Sequence, residues 1–131
     1  MLAHYPYTIA ATLVIIALFL VFGARVGAGR GKHKVNAPAC EGPDEWNRHF
    51  RIHQNTMEQM VQFLPLMWIL AAMGHDMWAG ALGALFIFGR LLYASAYARD
   101  PEKRGPGMIL TFLASAIALI AIVVGWVMSV M

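Results

Sequence analysis

Apolar and polar positions along this chain come in long blocks rather than in residue-by-residue alternation. An apolar run from Ile9 to Ala24, interrupted only by Thr12, has Tyr5 and Tyr7 ahead of it and Arg25 behind it. Aromatic and arginine flanks sit at membrane interfaces, so the run reads as a spanning helix over about residues 5–28. No Lys or Arg precedes it, which sets it apart from a secretory signal. From Arg30 to Trp46 the residues turn to Gly, Pro, Lys and acids, a composition that predicts a polar loop. Helical periodicity resumes over about residues 45–74, polar in its first half and apolar from Phe63 onward. Pro65 lies inside that helix and predicts a bend. Gly74, His75 and Asp76 leave room only for an antiparallel return, into a third helix over 77–98 broken by the single charge of Arg90. After a short loop, 107–131 carries no charged residue and reads as the fourth helix. The pattern predicts an all-α integral membrane protein, a four-helix bundle in one domain over 1–131.

Composition sharpens that picture. With 131 residues, 60% of them hydrophobic and 13% charged, and a mean hydropathy of +0.60, the chain has too little polar surface to cover a soluble domain of this size. A net charge of +3 would suggest nucleic acid in a soluble protein. Here all ten Lys and Arg lie at or near the first and third connections, which predicts a multi-pass topology with those two loops in the cytosol and no nucleic-acid partner. Cys40 is the lone cysteine, so no internal disulfide framework is possible, and an inert loop thiol is expected. His33, His49, His53 and Cys40 share no spacing that puts them on one face, and no metal site is expected.

The polar half of the second helix is ordered. At about 100° per residue, Arg48, Arg51, Asn55, Glu58 and Gln62 fall within an arc of roughly 80°. Charges at membrane depth are costly unless they face protein or water, so the stripe looks into one of those. On the third helix Arg90, Tyr93 and Tyr97 share a face by their i, i+3, i+7 spacing. Two structural readings stand beside a binding site: a polar stripe that glues helices together, and tyrosines that belong to an interfacial belt. A site holding both signs of charge, an amide and phenols suits a zwitterionic peptide-like ligand, with Arg for carboxylates, Glu for an ammonium, and Asn and Tyr for amide groups. Glutathione carries all of these groups. A different class, a small proton-coupled four-helix exporter using Glu58, is the alternative. Glu58 shares its stripe with Arg51, and the one-sided Lys and Arg distribution fixes a single orientation, and both features argue against it.

The segments Phe50-Arg51-Ile52-His53-Gln54-Asn55-Thr56-Met57-Glu58, Phe63-Leu64-Pro65-Leu66, Gly89-Arg90-Leu91-Leu92-Tyr93 and Tyr97-Ala98-Arg99 resemble the membrane-associated proteins in eicosanoid and glutathione metabolism (MAPEG). The resemblance runs from Arg30 to the last helix. It implies a homotrimer of four-helix subunits with glutathione bound between neighbours at the cytosolic side, and a membrane-bound glutathione transferase or peroxidase acting on lipophilic electrophiles. By the same resemblance Arg51, Asn55, Glu58, Tyr93 and Tyr97 line the glutathione pocket, Arg30 joins from the end of the first helix, and Arg104 is the catalytic contact to the thiol. Arg90, an arginine two turns inside a span that calls for an anion or an acidic partner, is added to the glutathione-binding set. Gln59 and His53 depart from the leukotriene-forming branch, where Tyr and Gln are common, and shift the expectation toward a general detoxifying enzyme. The family also includes a lipid-binding member without enzymatic activity, so fold alone does not imply catalysis.

Overall fold

The computed structural model describes residues 2–131. Four long helices, α1 (Pro6–His33), α2 (Asp44–Ala72), α3 (Asp76–Arg99) and α4 (Gly105–Val130), run up and down, with single 3-10 turns at Leu2–His4 and Pro101–Arg104. α2 and α3 form the central pair; α1 packs on both of them from one side and α4 from the other. α2 continues as helix through Pro65.

The first helix runs to His33, several residues past the expected end near 28, and the polar loop shrinks to 34–43. Glycines 29 and 31 suggested a loop by composition, but at Gly29 the small residue serves packing, since a Cβ there would stand 2.7 Å from Cδ1 of Trp46. Arg30, Lys32 and His33 occupy the last turn, where positive charge complements the helix dipole. Lys34 then closes the helix in the left-handed region at φ 54°.

Small residues set the helix spacing. Gly80 and Gly83 let α3 approach Tyr7 and Ala11 of α1, while Gly89 and Gly107 bring α3 and α4 together, a Cβ on Gly107 falling 2.6 Å from the Tyr93 Cα. Between them Phe63 and Phe86 stack at 4.5 Å, with Ile15, Met67, Ala79 and Ala114 completing an apolar core.

Both ends of the bundle are tied by backbone capping. Asp76 accepts hydrogen bonds from the Tyr7 and Thr8 amides at 3.1 and 2.9 Å, placing a carboxylate at the start of α1. At the other end Arg48 donates to the Ala98 and Arg99 carbonyls at 3.3 and 3.0 Å and pairs with Asp44 at 2.8 Å. Arg48 therefore leaves the stripe to which helical spacing assigns it and caps α3. Its side chain is long enough to reach the next helix, and unpaired carbonyls attract it there. The 34–43 loop and the α3–α4 joint consequently share one end, and the α2–α3 turn lies at the other.

Three helical segments, Pro6–His33, Asp76–Arg99 and Pro101–Val130, are long and apolar enough to cross a membrane. α2 lies alongside them, and its polar first half lowers its hydropathy. Leu13 and Leu20 on α1 and Phe112, Ile120, Val124 and Met128 on α4 are exposed on the outer faces, where lipid replaces water. The protein is an all-helical integral membrane bundle.

Candidate functional site

Arg90 stands at the centre of the site. It is 1% exposed, with no acidic partner among the described residues. Its Nε donates to Thr111 Oγ1 on α4 at 3.0 Å, and its Nη1 donates to Asn55 Oδ1 on α2 at 2.7 Å, so one guanidinium links three helices. Its Nη2 is buried without a hydrogen-bond partner among the described residues. Thr111 takes this role because its own hydroxyl donates to the Gly107 carbonyl at 2.8 Å, which turns a lone pair toward Arg90.

From Arg90 the network continues outward. Asn55 Nδ2 donates to Glu58 Oε2 at 3.3 Å, and Gln62 Nε2 donates to the Glu58 carbonyl at 3.4 Å. Glu58 and Gln62 are exposed, whereas Asn55 is half-buried. Arg90 also lies over the Tyr93 ring at 4.3 Å, and Tyr93 stacks on Tyr97 at 5.4 Å. Tyr93 is 4% exposed and seated by Gly107, so it is a packed residue rather than a free interfacial belt residue. Asn55, Glu58, Arg90, Tyr93 and Tyr97 are thus one connected group across α2 and α3.

The remaining candidates make no hydrogen bond to that group in the single chain, although the charges of Arg51 and Arg104 lie near enough to act on the Tyr93 hydroxyl. Arg51 is exposed one turn before Asn55 and donates to Gln54 Oε1 at 3.1 Å, not to Glu58. A groove of about 440 Å³ opens beside it, between Arg51, Gln54, Phe50, Asn47 and the 34–43 loop. Arg30 donates to the Val35 and Ala39 carbonyls at 3.4 and 2.9 Å and lies over Trp46 at 4.9 Å, holding its own loop. Arg104 is exposed at the start of α4 and donates to the Pro101 carbonyl at 2.9 Å. Thr111 is the member that sequence reasoning missed. Its only signal is a hydroxyl four residues after Gly107 in an uncharged run, a feature that Ser129 after Gly125 shares.

A model of the MAPEG family matches residues 8–124, nearly the whole bundle and every member of this network. The chain belongs to the MAPEG family. Among relatives of this MAPEG protein, an uncharacterized protein of Synechocystis sp. is 38% identical over 120 residues, 92% of this chain and 85% of the relative. Microsomal glutathione S-transferase 2 of Mus musculus is 39% identical over 90 residues, which cover 69% of this chain and 61% of that protein. Leukotriene C4 synthase of Bos taurus is 31% identical over 95 residues, 72% of this chain and 63% of the synthase. The alignments thus span about three-fifths of the length of these two mammalian relatives.

For this MAPEG protein the chemistry available is anion and zwitterion binding. The group offers a buried cation with one unsatisfied donor edge, an exposed carboxylate held by an amide, and two stacked phenols. Among the described residues no group of three His, Cys, Asp or Glu is placed to hold a metal ion, and Cys40 is exposed in the loop.

Proposed function

We propose that this protein binds glutathione against the Asn55, Glu58, Arg90, Tyr93 and Tyr97 group and uses its sulfur to conjugate or reduce lipophilic electrophiles in the membrane. The observation that carries the reading is Arg90, 1% exposed, with no carboxylate partner and no partner for its Nη2 among the described residues. An arginine inside a membrane helix costs about 2.5–3.5 kcal/mol on insertion scales, and it is retained where it meets a functional anion. A glutathione carboxylate answers Arg90 or Arg51, its ammonium answers Glu58, and its amides suit Asn55 and the phenols. The relatives named for glutathione transfer and leukotriene C4 synthesis support the same substrate class.

Arg104 is the catalytic residue in this reading. A thiol with a pKa near 8.5 is mostly protonated at neutral pH, and the thiolate is the nucleophile. A permanent cation beside the sulfur stabilises the thiolate. The thiolate then attacks an electrophilic carbon, a C–S bond forms, and the electron pair leaves with the displaced group or opens an epoxide C–O bond. With a lipid hydroperoxide, the thiolate instead takes the terminal oxygen and releases the alcohol. A second glutathione then reduces the resulting sulfenic acid, giving disulfide and water.

The assembly belongs to the proposal as well. Arg51, Glu58 and Gln62 point out of the single chain on a helix that continues into an apolar half, and lipid is a poor solvent for them. A homotrimer of four-span subunits covers that face, and neighbouring copies bring Arg30 and Arg104 to the site. The one-sided Lys and Arg distribution supports loops one and three, and with them the glutathione site, facing the cytosol. Glu58 is bonded to Asn55, itself bonded to Arg90, which disfavours a freely exchanging proton site of the exporter kind. Turnover of glutathione with chlorodinitrobenzene, a lipid hydroperoxide and an epoxide by the detergent-purified protein tests the function. Conjugation or peroxide reduction that saturates in glutathione is expected. No turnover with any of the three, alongside glutathione binding, would leave a non-catalytic member of the family.

A further inference from the structure

The corner between α1 and α2 carries a second concave surface, distinct from the Arg90 network. A groove of about 340 Å³ opens there, at the lower end of the ~300–1,000 Å³ range of small-molecule sites. Its floor is Trp46, 1% exposed, closed against the backbone of Gly29. Its rim carries Arg25, Lys32, His33, His49 and Glu45. Lys32 Nζ lies 3.2 Å from Glu45 Oε1, and His33 Nε2 lies 3.8 Å from Glu45 Oε2. The Lys32 hydrogen bond and charge hold the Glu45 carboxyl below the usual carboxylate range, so Glu45 offsets one rim cation at neutral pH. Arg25 remains exposed and makes no ion pair among the described residues, and His49 shares the groove with it.

The position of this rim matters as much as its charge. Val14, Val21, Arg25 and Lys32 follow one face of α1 at steps of seven, four and seven residues, and all four are exposed. The face therefore changes from apolar to cationic at Arg25, the residue that ends the Ile9–Ala24 run, at the level where headgroups meet hydrocarbon.

We infer that this groove holds the phosphate of an anionic membrane phospholipid, with Arg25, Lys32 and His49 donating to the headgroup and an acyl chain lying along Val21 and Val14. Cations near a membrane surface attract anionic lipid, and the apolar strip continuing from the rim suits a lipid rather than a free ion. The test is native mass spectrometry of the detergent-solubilised protein, titrated with phosphatidylglycerol and, separately, with phosphatidylcholine of the same chains. Preferential retention of phosphatidylglycerol is expected, with at least about a thirtyfold loss of affinity in the Arg25→Ala/Lys32→Ala double variant. Arg25→Lys is expected to stay within a few-fold of wild type, and glutathione binding is expected to be unchanged in both variants. Equal retention of phosphatidylglycerol by the double variant would overturn the inference. So would displacement of the lipid by an equal concentration of inorganic phosphate, which would mark a free-anion site. A double variant that loses only its oligomeric state would also overturn it, since a second copy of the chain would then fill the groove.

Discussion

Replacing Arg90 with Met removes the buried charge while keeping a long, flexible, apolar side chain, and stability and binding are expected to part company. Two charge-assisted hydrogen bonds disappear, to Asn55 at 2.7 Å and Thr111 at 3.0 Å. Each contributes about 1.5–3 kcal/mol. Against that loss, the desolvation of the guanidinium, several kcal/mol for a buried ion and about 2.5–3.5 kcal/mol on membrane insertion scales, is relieved. Thr111 keeps its bond to the Gly107 carbonyl, so only Asn55 is left short of a partner. The terms nearly cancel, and the free energy of unfolding is expected within about 2 kcal/mol of wild type. Glutathione affinity has no such offset. Loss of a charge-assisted contact to a carboxylate lowers it about ten- to a hundredfold. The assay is thermal unfolding followed by circular dichroism, with calorimetric titration of glutathione into the same preparations. If Arg90→Met loses more than about 3 kcal/mol of stability and the folded fraction still binds glutathione as tightly as wild type, Arg90 is structural glue across α2, α3 and α4.

Glu58→Gln is expected to weaken glutathione binding about ten- to a hundredfold by removing the ammonium contact; because the carboxylate is exposed, melting should hardly change, and unchanged affinity would remove Glu58 from the site. Arg104→Ala is expected to retain glutathione binding while the thiolate absorbance titrates at higher pH and conjugation slows; a wild-type titration and turnover would make Arg104 a headgroup contact. Gly107→Ala sets a Cβ 2.6 Å from the Tyr93 Cα, so α4 must shift. A loss of about 1–3 kcal/mol and weaker glutathione binding are expected, and a variant with wild-type melting would show that the crossing has slack.

The helical layout was written in long apolar blocks, because a bilayer demands whole runs of apolar side chains and an i, i+4 pattern needs no tertiary information. Helical spacing likewise put Asn55 and Glu58 on one face and Arg90, Tyr93 and Tyr97 on another. What spacing does not carry is the partner on the next helix. Arg48 fits the stripe by angle, yet its length lets it reach the carbonyls at the end of α3. Arg90 turns to Asn55 and Thr111 because Gly89 and Gly107 pull α3 and α4 together, a distance set in three dimensions. Residues 30–33 carry the composition of a loop because glycine is a poor helix former, and the reason for the neighbouring Gly29, the indole of Trp46, lies on another helix. Asp76 carries only the signal of a turn residue in the sequence, since the amides it accepts from lie 68 and 69 positions away.

Calorimetric titration of glutathione into the detergent-purified wild-type protein near neutral pH, with thiolate absorbance followed in parallel, tests the central claim most directly. Saturable binding is expected, with a thiolate signal appearing well below the free-thiol pKa of about 8.5 and an affinity that falls in Arg90→Met. A folded protein that shows no saturable glutathione binding, or that binds it equally well without the Arg90 guanidinium, would contradict the account.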